Sequence, residues 1–158
     1  MWILLACSRA PLGDDDLQRF RERHAAVYEV FDLAPDRDAI HGQLADSLAG
    51  DALTRAYVEH WTLRQRMADE ATTARVLDVI YDRVEAVDDT RLAADWRVTA
   101  HITHQDHEHV RVNRYQAIYR FEDERITGSW IRNAERLPGE IPAGDEERIP
   151  LDELLERL

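Results

Sequence analysis

An α+β domain is the fold class this sequence predicts, with three helices in its first half and a four-stranded antiparallel sheet in its second. Three observations lead there. Apolar residues recur at helical spacing up to about residue 69. From Thr73 onward β-branched residues crowd in, at Val76, Val79, Ile80, Val84 and Val87. Then Trp96, Val98, Ala100 and Ile102 alternate with Arg97, Thr99, His101 and Thr103, the period of two that marks a half-buried strand. A length of 158 residues suits one domain with a real core.

The elements follow in order. Residues 1–16 read as an apolar start and a polar tether. Asp14, Asp15 and Asp16 place negative charge where a helix N-terminus favours it. Leu17, Phe20, His24, Val27, Tyr28 and Phe31 form one helical face, and Pro35 ends the helix because it cannot continue the hydrogen-bond ladder. A second helix covers Asp38 to Leu48, with Ile40 and Leu44 inward. Gly50-Asp51 reads as a stop and a cap. The third runs from Ala52 to about Asp69, burying Leu53, Tyr57, His60 with Trp61, and Met67. Asp88-Asp89 is a turn, as is Glu122-Asp123-Glu124. A strand spans His107 to Phe121, and the last runs from Arg125 to Ala134. The domain therefore occupies 17–137. Residues 138–158 form a tail, irregular at first, that ends in a short helix with Leu151, Leu154, Leu155 and Leu158 at helical spacing. That helix either packs back on the domain or docks on another protein.

Charge narrows the function. There are 32 acidic residues against 20 basic ones, every one of the latter an arginine, for a net charge of −12. Phosphate binding needs a positive footprint, so nucleic acid is excluded as a partner, and so is a polybasic hold on a membrane surface. No Gly-rich phosphate loop, nucleophile elbow or His-Glu-x-x-His motif occurs. The single cysteine, Cys7, permits no internal disulfide.

The candidate site comes from register. Four of the seven histidines lie between residues 101 and 109. If Gln105-Asp106 is a two-residue hairpin turn, His104 faces His107, Ile102 faces His109, Ala100 faces Arg111, Val98 faces Asn113 and Trp96 faces Tyr115. Opposed residues share a sheet face. His107, His109, Arg111, Asn113 and Tyr115 then point toward the helices beside Trp96. The opposite face, with Arg97, Thr99, His101, Glu108, Arg114 and Gln116, reads as the more solvated. A buried polar row must be hydrogen-bonded or line a wet cavity. It is thus either a structural network or a pocket for a small molecule. Candidate ligand-binding residues are Trp96, His104, His107, His109, Arg111, Asn113 and Tyr115. Three histidines with an open fourth position would also suit a transition metal. Such clusters are more often hydrogen-bonded structural histidines, so no metal and no cofactor is assigned.

Two resemblances bear on this plan. Three helices followed by a curved antiparallel sheet resemble the NTF2-like (SnoaL-like) cone fold, which implies a pocket under the sheet. That superfamily contains isomerases, dehydratases, hydrolases and non-catalytic binding domains, so it implies no particular reaction. His104, His107, His109, Arg111, Asn113, Tyr115 and Ala117 resemble the signature His-Trp-Gly-His-x-His-x-Arg-x-Asn-x-Tyr-x-Ala of uncharacterised bacterial envelope domains, with Gln105-Asp106 in place of Trp-Gly. Residues 27–32 and 48–53 are similar to that group as well, and the likeness covers about residues 25 to 137. It implies export or membrane attachment. Leu4-Leu5-Ala6-Cys7 likewise resembles a bacterial lipobox, in which Cys7 would be lipidated, although the apolar run before it is short and lacks a basic lead.

The resulting expectation is a lipid-anchored, extracytoplasmic envelope domain, held to the membrane by its lipid alone. It would be a non-enzymatic module binding a small molecule or an envelope membrane protein, with no catalytic residue assigned. The alternatives are a cone-fold enzyme using a pocket His or Tyr as general acid/base and a His-rich metal-binding envelope protein. If Cys7 is not a lipidation site, a cytoplasmic location follows instead.

Overall fold

In the computed structural model, which describes residues 11–137 and 151–156, the chain runs helices first and strands second. Helix α1 spans Asp14–Ala26 and tightens into a 3-10 segment, Val27–Asp32, before Pro35. Its first turn carries the three aspartates, and the Asp16 carboxylate accepts from the Gly13 N–H at 3.0 Å. Helix α2, Arg37–Ser47, is capped by Asp36, whose Oδ1 accepts from the Ala39 N–H at 2.7 Å. Helix α3 is Gly50–Asp69. Between α2 and α3, Leu48 makes a one-residue parallel bridge to Ile126, and Gly50 turns the chain away from it with φ +55°. Glycine adopts that left-handed conformation without a Cβ clash.

Four long strands follow: β1 Thr73–Ala86, β2 Arg91–Thr103, β3 Glu108–Glu122 and β4 Arg125–Leu137. They form an antiparallel meander in the order β1-β2-β3-β4, to which the Leu48 bridge adds a single-residue fifth rung at the β4 edge. The β2–β3 register is the one the two-residue turn demands: Trp96 pairs with Tyr115, Val98 with Asn113, Ala100 with Arg111 and Ile102 with His109. The β3–β4 turn has positive φ at Asp123 and Glu124, the twist that two-residue hairpin turns favour.

The sheet bends around the helices. Irregularities interrupt β1–β2 pairing at Val76/Asp78 and Tyr81/Arg83, and β3–β4 pairing at Gln116/Ile118 and Arg120/Phe121. Such bulges bend strands and increase twist. Helix α1 touches both edge strands, β1 and β4. Across four strands those edges would stand about 14 Å apart in a flat sheet, at about 4.8 Å per pairing. A helix about 10 Å wide meets both only if the sheet curls over it. The core lies in that hollow: Phe20, Val30, Ile40, Leu44 and Leu48 meet Leu92, Ala94, Trp96, Ala117, Tyr119, Phe121 and Ile126.

Two expectations about the faces are corrected. The face turned away from the helices is not simply solvated. Asp95 is fully buried there and Gln116 nearly so, with Asp95 Oδ1 accepting from Arg83 at 3.0 Å and from Gln116 Nε2 at 3.1 Å. Short helix α4, Leu151–Glu156, contributes Leu155 to a small cluster with Ala93, Ile118, Val87 and Trp130 on this side, so it packs back on the domain. The inner polar row, conversely, is not buried along its length. Strands β2 and β3 are 13 and 15 residues long. At about 3.3 Å per residue they outrun the helix layer, whose longest member rises only about 1.5 Å per residue. Burial on β2 stops after Val98, and Arg111 on β3 is exposed.

Candidate functional site

The hollow holds a cavity of about 520 Å³ between the helices and the sheet. Its walls are mainly apolar: Val27, Val30, Phe31, Leu44, Leu48, Ala52, Ala56 and Ile126. The exposed lining residues Arg55, Glu59 and Leu63 on α3, with Arg132 on β4, put its mouth between those two elements. There Arg132 pairs with Glu59 at 3.1 Å, and its guanidinium lies 5.8 Å from the Tyr115 ring centre. Arg55 donates to the Ser129 carbonyl at 3.1 Å.

His24, Tyr28, His60, Tyr115 and Tyr119 bring polar atoms to the lining, and Tyr81, not itself a lining residue, backs His24. His24 stacks on Phe20 one turn earlier in α1 and meets the Trp96 ring edge-on at 4.7 Å. Its Nδ1 lies 2.8 Å from the Tyr81 hydroxyl, and its Nε2 lies 2.9 Å from that of Tyr119. The Tyr81 hydroxyl donates to the Arg21 carbonyl at 3.1 Å, which fixes the order of protons. Nδ1–H donates to Tyr81, and Nε2 accepts from Tyr119. Burial, aided by the nearby positive charge of Arg132, pushes the His24 pKa down to about 3, so the ring is neutral. Tyr28 accepts from Trp96 Nε1 at 2.8 Å. Burial raises its pKa, so it keeps its proton, which has no acceptor among the described residues. A second histidine on the wall, His60, accepts from Arg64 Nε at 2.6 Å. Burial and then the Arg64 charge lower its pKa to about 4. Arg64 also donates to the Val30 and Leu33 carbonyls, fastening α3 to the 3-10 segment.

The seven residues singled out in the sequence share one sheet face but fall into two groups. Tyr115 lines the cavity, and Trp96, fully buried, stacks behind it at 5.3 Å. From Tyr115 a chain of contacts runs outward. Asn113 Nδ2 donates to the Tyr115 hydroxyl at 3.2 Å, and Arg111 Nε donates to Asn113 Oδ1 at 3.1 Å. Beyond them, at the hairpin tip, His104, His107 and His109 stack with ring centres 4.6–5.7 Å apart. The tip is outside the helix-covered core, so the pocket and the histidine cluster are separate places. Sequence reasoning missed His24, Tyr28, Tyr81 and Tyr119 as a group. The signal available was a histidine centred on an otherwise apolar helix face, opposite tyrosines on inward strand positions.

Fold and cavity together define the class: an α+β domain enclosing a mainly apolar pocket with a few fixed polar groups. No family model matches the chain, and no curated protein matches it. Among solved structures, it is similar to the intermembrane space region of the chloroplast protein ARC6, with 17% identity over 76% of this chain and 97% of that one, at a TM-score of 0.49. It is also similar to a proposed polyketide cyclase from Xanthomonas campestris pv. campestris, with 18% identity over 72% of this chain and 89% of that one, at a TM-score of 0.42. Among the described residues no helix is long and apolar enough to cross a membrane. Cys7, the lipobox-like stretch and residues 138–150 lie outside the described residues.

Proposed function

We propose that this is a non-enzymatic binding domain of the NTF2-like cone type, which takes a small molecule with an apolar body and an acceptor or anionic group into its cavity. The observation that carries this reading is the cavity itself, about 520 Å³ with apolar walls, a free Tyr28 proton inside and guanidinium groups at the mouth. Sites for small molecules have this make-up. The His24–Tyr81–Tyr119 set is the feature that would favour an acid/base enzyme. Both His24 nitrogens are occupied, however, and its low pKa leaves it a poor base near neutral pH. Its evident work is to join α1 to β1 and β3. The domain's setting in this reading is the bacterial envelope, with Cys7 as a lipid attachment point and a small molecule or an envelope membrane protein as partner.

The aromatic sulfonate 1-anilinonaphthalene-8-sulfonate combines an apolar body with an anion and serves as the probe. Saturable one-to-one binding to the folded chain is expected, lost in Ala56→Phe, which fills the cavity, and weakened in Tyr28→Phe. Equal binding by wild type and Ala56→Phe, both with intact melting transitions, overturns the pocket reading. Anchoring is tested by labelling cells with a radioactive fatty acid. Label present in the wild type and absent in Cys7→Ser supports it, and an unlabelled wild type refutes it.

A further inference from the structure

We propose that His104, His107 and His109 form a site for a borderline divalent transition metal, zinc(II) foremost, at the tip of the β2–β3 hairpin. One ligand nitrogen from each residue lies within 4.8 Å of the other two. Proximity alone would describe any histidine cluster; here two of the rings also have a polar partner at Nδ1. Thr72 Oγ1 lies 3.3 Å from the Glu70 carbonyl, to which it can donate, and 3.1 Å from His104 Nδ1, from which it can then accept. The Asp106 carboxylate accepts from His107 Nδ1 at 2.7 Å. With Nδ1 donating in each ring, the lone pair of each is left on Nε2. Metal-binding histidines are oriented in this way by a carboxylate or other acceptor on the far nitrogen. His109 has no hydrogen-bond partner among the described residues, and its ring is free to supply the third nitrogen.

The donor set selects the metal. Three neutral imidazoles suit zinc, copper or nickel, whereas magnesium and calcium require oxygen ligands. Three protein ligands leave a fourth position open to water or an anion. Zinc–nitrogen bonds of about 2.0–2.1 Å in a tetrahedron require nitrogens about 3.4 Å apart, so from separations within 4.8 Å the rings must close by up to about 1.4 Å and fan out from their stacked arrangement. The His107 side chain is 58% exposed, which leaves it room to swing. Thr72, at the entry to β1, and Asp106, in the turn, hold the other two sides of the site. The site lies beyond the cavity, and it stands or falls independently of the pocket reading.

The test uses the untagged full chain. Calorimetric titration with zinc(II) should show one saturable equivalent, and cobalt(II) should give the visible absorption of a four- or five-coordinate ion. Copper(II) should show superhyperfine coupling to three ring nitrogens in its electron paramagnetic resonance spectrum. The double variant His107→Ala/His109→Ala should lose these signals while keeping its melting temperature. Asp106→Asn should weaken zinc binding roughly 10- to 100-fold, the usual effect of losing an outer-shell partner. Equal zinc binding by wild type and double variant overturns the proposal, because the metal then sits on surface carboxylates. So does a cobalt(II) spectrum unchanged from that of the aqueous ion.

Discussion

Between pH 7 and pH 5 the stability of this domain should fall chiefly because of its buried histidines, with His24 the largest single contributor. In the folded chain the His24 pKa is lowered to about 3, against an ordinary value of 6.5 when unfolded. The unfolded state therefore binds the proton first. The stabilisation is fully present above about pH 6.5, declines as pH falls toward 3, and is gone below that. At 1.36 kcal/mol per unit the whole window is worth about 5 kcal/mol, of which about 2 kcal/mol is lost between pH 7 and pH 5. Most carboxylates titrate below that interval, so the signal is readable there. The assay is urea denaturation at half-unit pH steps on wild type and His24→Gln, which keeps polar contacts without a titrating ring. His60, with a pKa lowered to about 4, adds a slope of the same sign in both proteins. His24→Gln should be less stable at pH 7 and should lose the His24 part of the slope. A variant slope equal to that of the wild type would show that His24 is already solvated, and would refute the buried, neutral, doubly bonded ring.

Three further outcomes are expected. Arg83→Ala leaves the fully buried Asp95 without its cation and should cost about 3–5 kcal/mol in urea denaturation. Adding Asp95→Asn to that variant should recover part of the loss, and no recovery would mean that the charge was not the cause. Arg111→Ala, on the exposed overhang, should change stability by no more than about 0.5 kcal/mol. A loss of several kcal/mol would mean that the row is buried after all. Leu155→Ala removes the α4 contact with Ala93 and Ile118 and should cost about 1 kcal/mol, less than the 2–5 of a fully buried leucine. An unchanged melting temperature would instead leave α4 free for a partner.

The sheet register was readable because two local signals agreed. Strict alternation from Trp96 to Thr103 fixed the faces, and Gln105-Asp106 fixed the pairing, which together gave every rung from Ile102–His109 to Trp96–Tyr115. Alternation says which face a residue takes but nothing of what covers that face. Arg111 takes the inward face that alternation gives it, yet it is exposed because the strands are longer than the helices that cover them. Asp95 and Gln116 lay on the side expected to be wet, and their burial depends on Arg83, a partner from another strand, and on neighbouring cover, including α4 at one end. The pocket was the least legible part. His24, Tyr81 and Tyr119 come from three elements, the first two 57 positions apart and the first and third 95 positions apart. No linear spacing announces such a set. The histidine cluster was legible for the opposite reason, since a single tight turn brings its members together.

One feature of the architecture also bears on the order of assembly. Helix α1 closes against β4, and the Arg19–Glu124 ion pair joins residues 105 positions apart. The hairpins can zip from their turns as soon as each is made, but α1 has no complete seat until the last strand is in place. Contacts so distant along the chain carry a large loop-closure penalty and slow folding. During synthesis Phe20, later the centre of the core, waits in the open while more than a hundred further residues emerge. The hydrophobic face of the first helix is therefore the surface on which a chaperone, or a second nascent copy, has the longest opportunity to act.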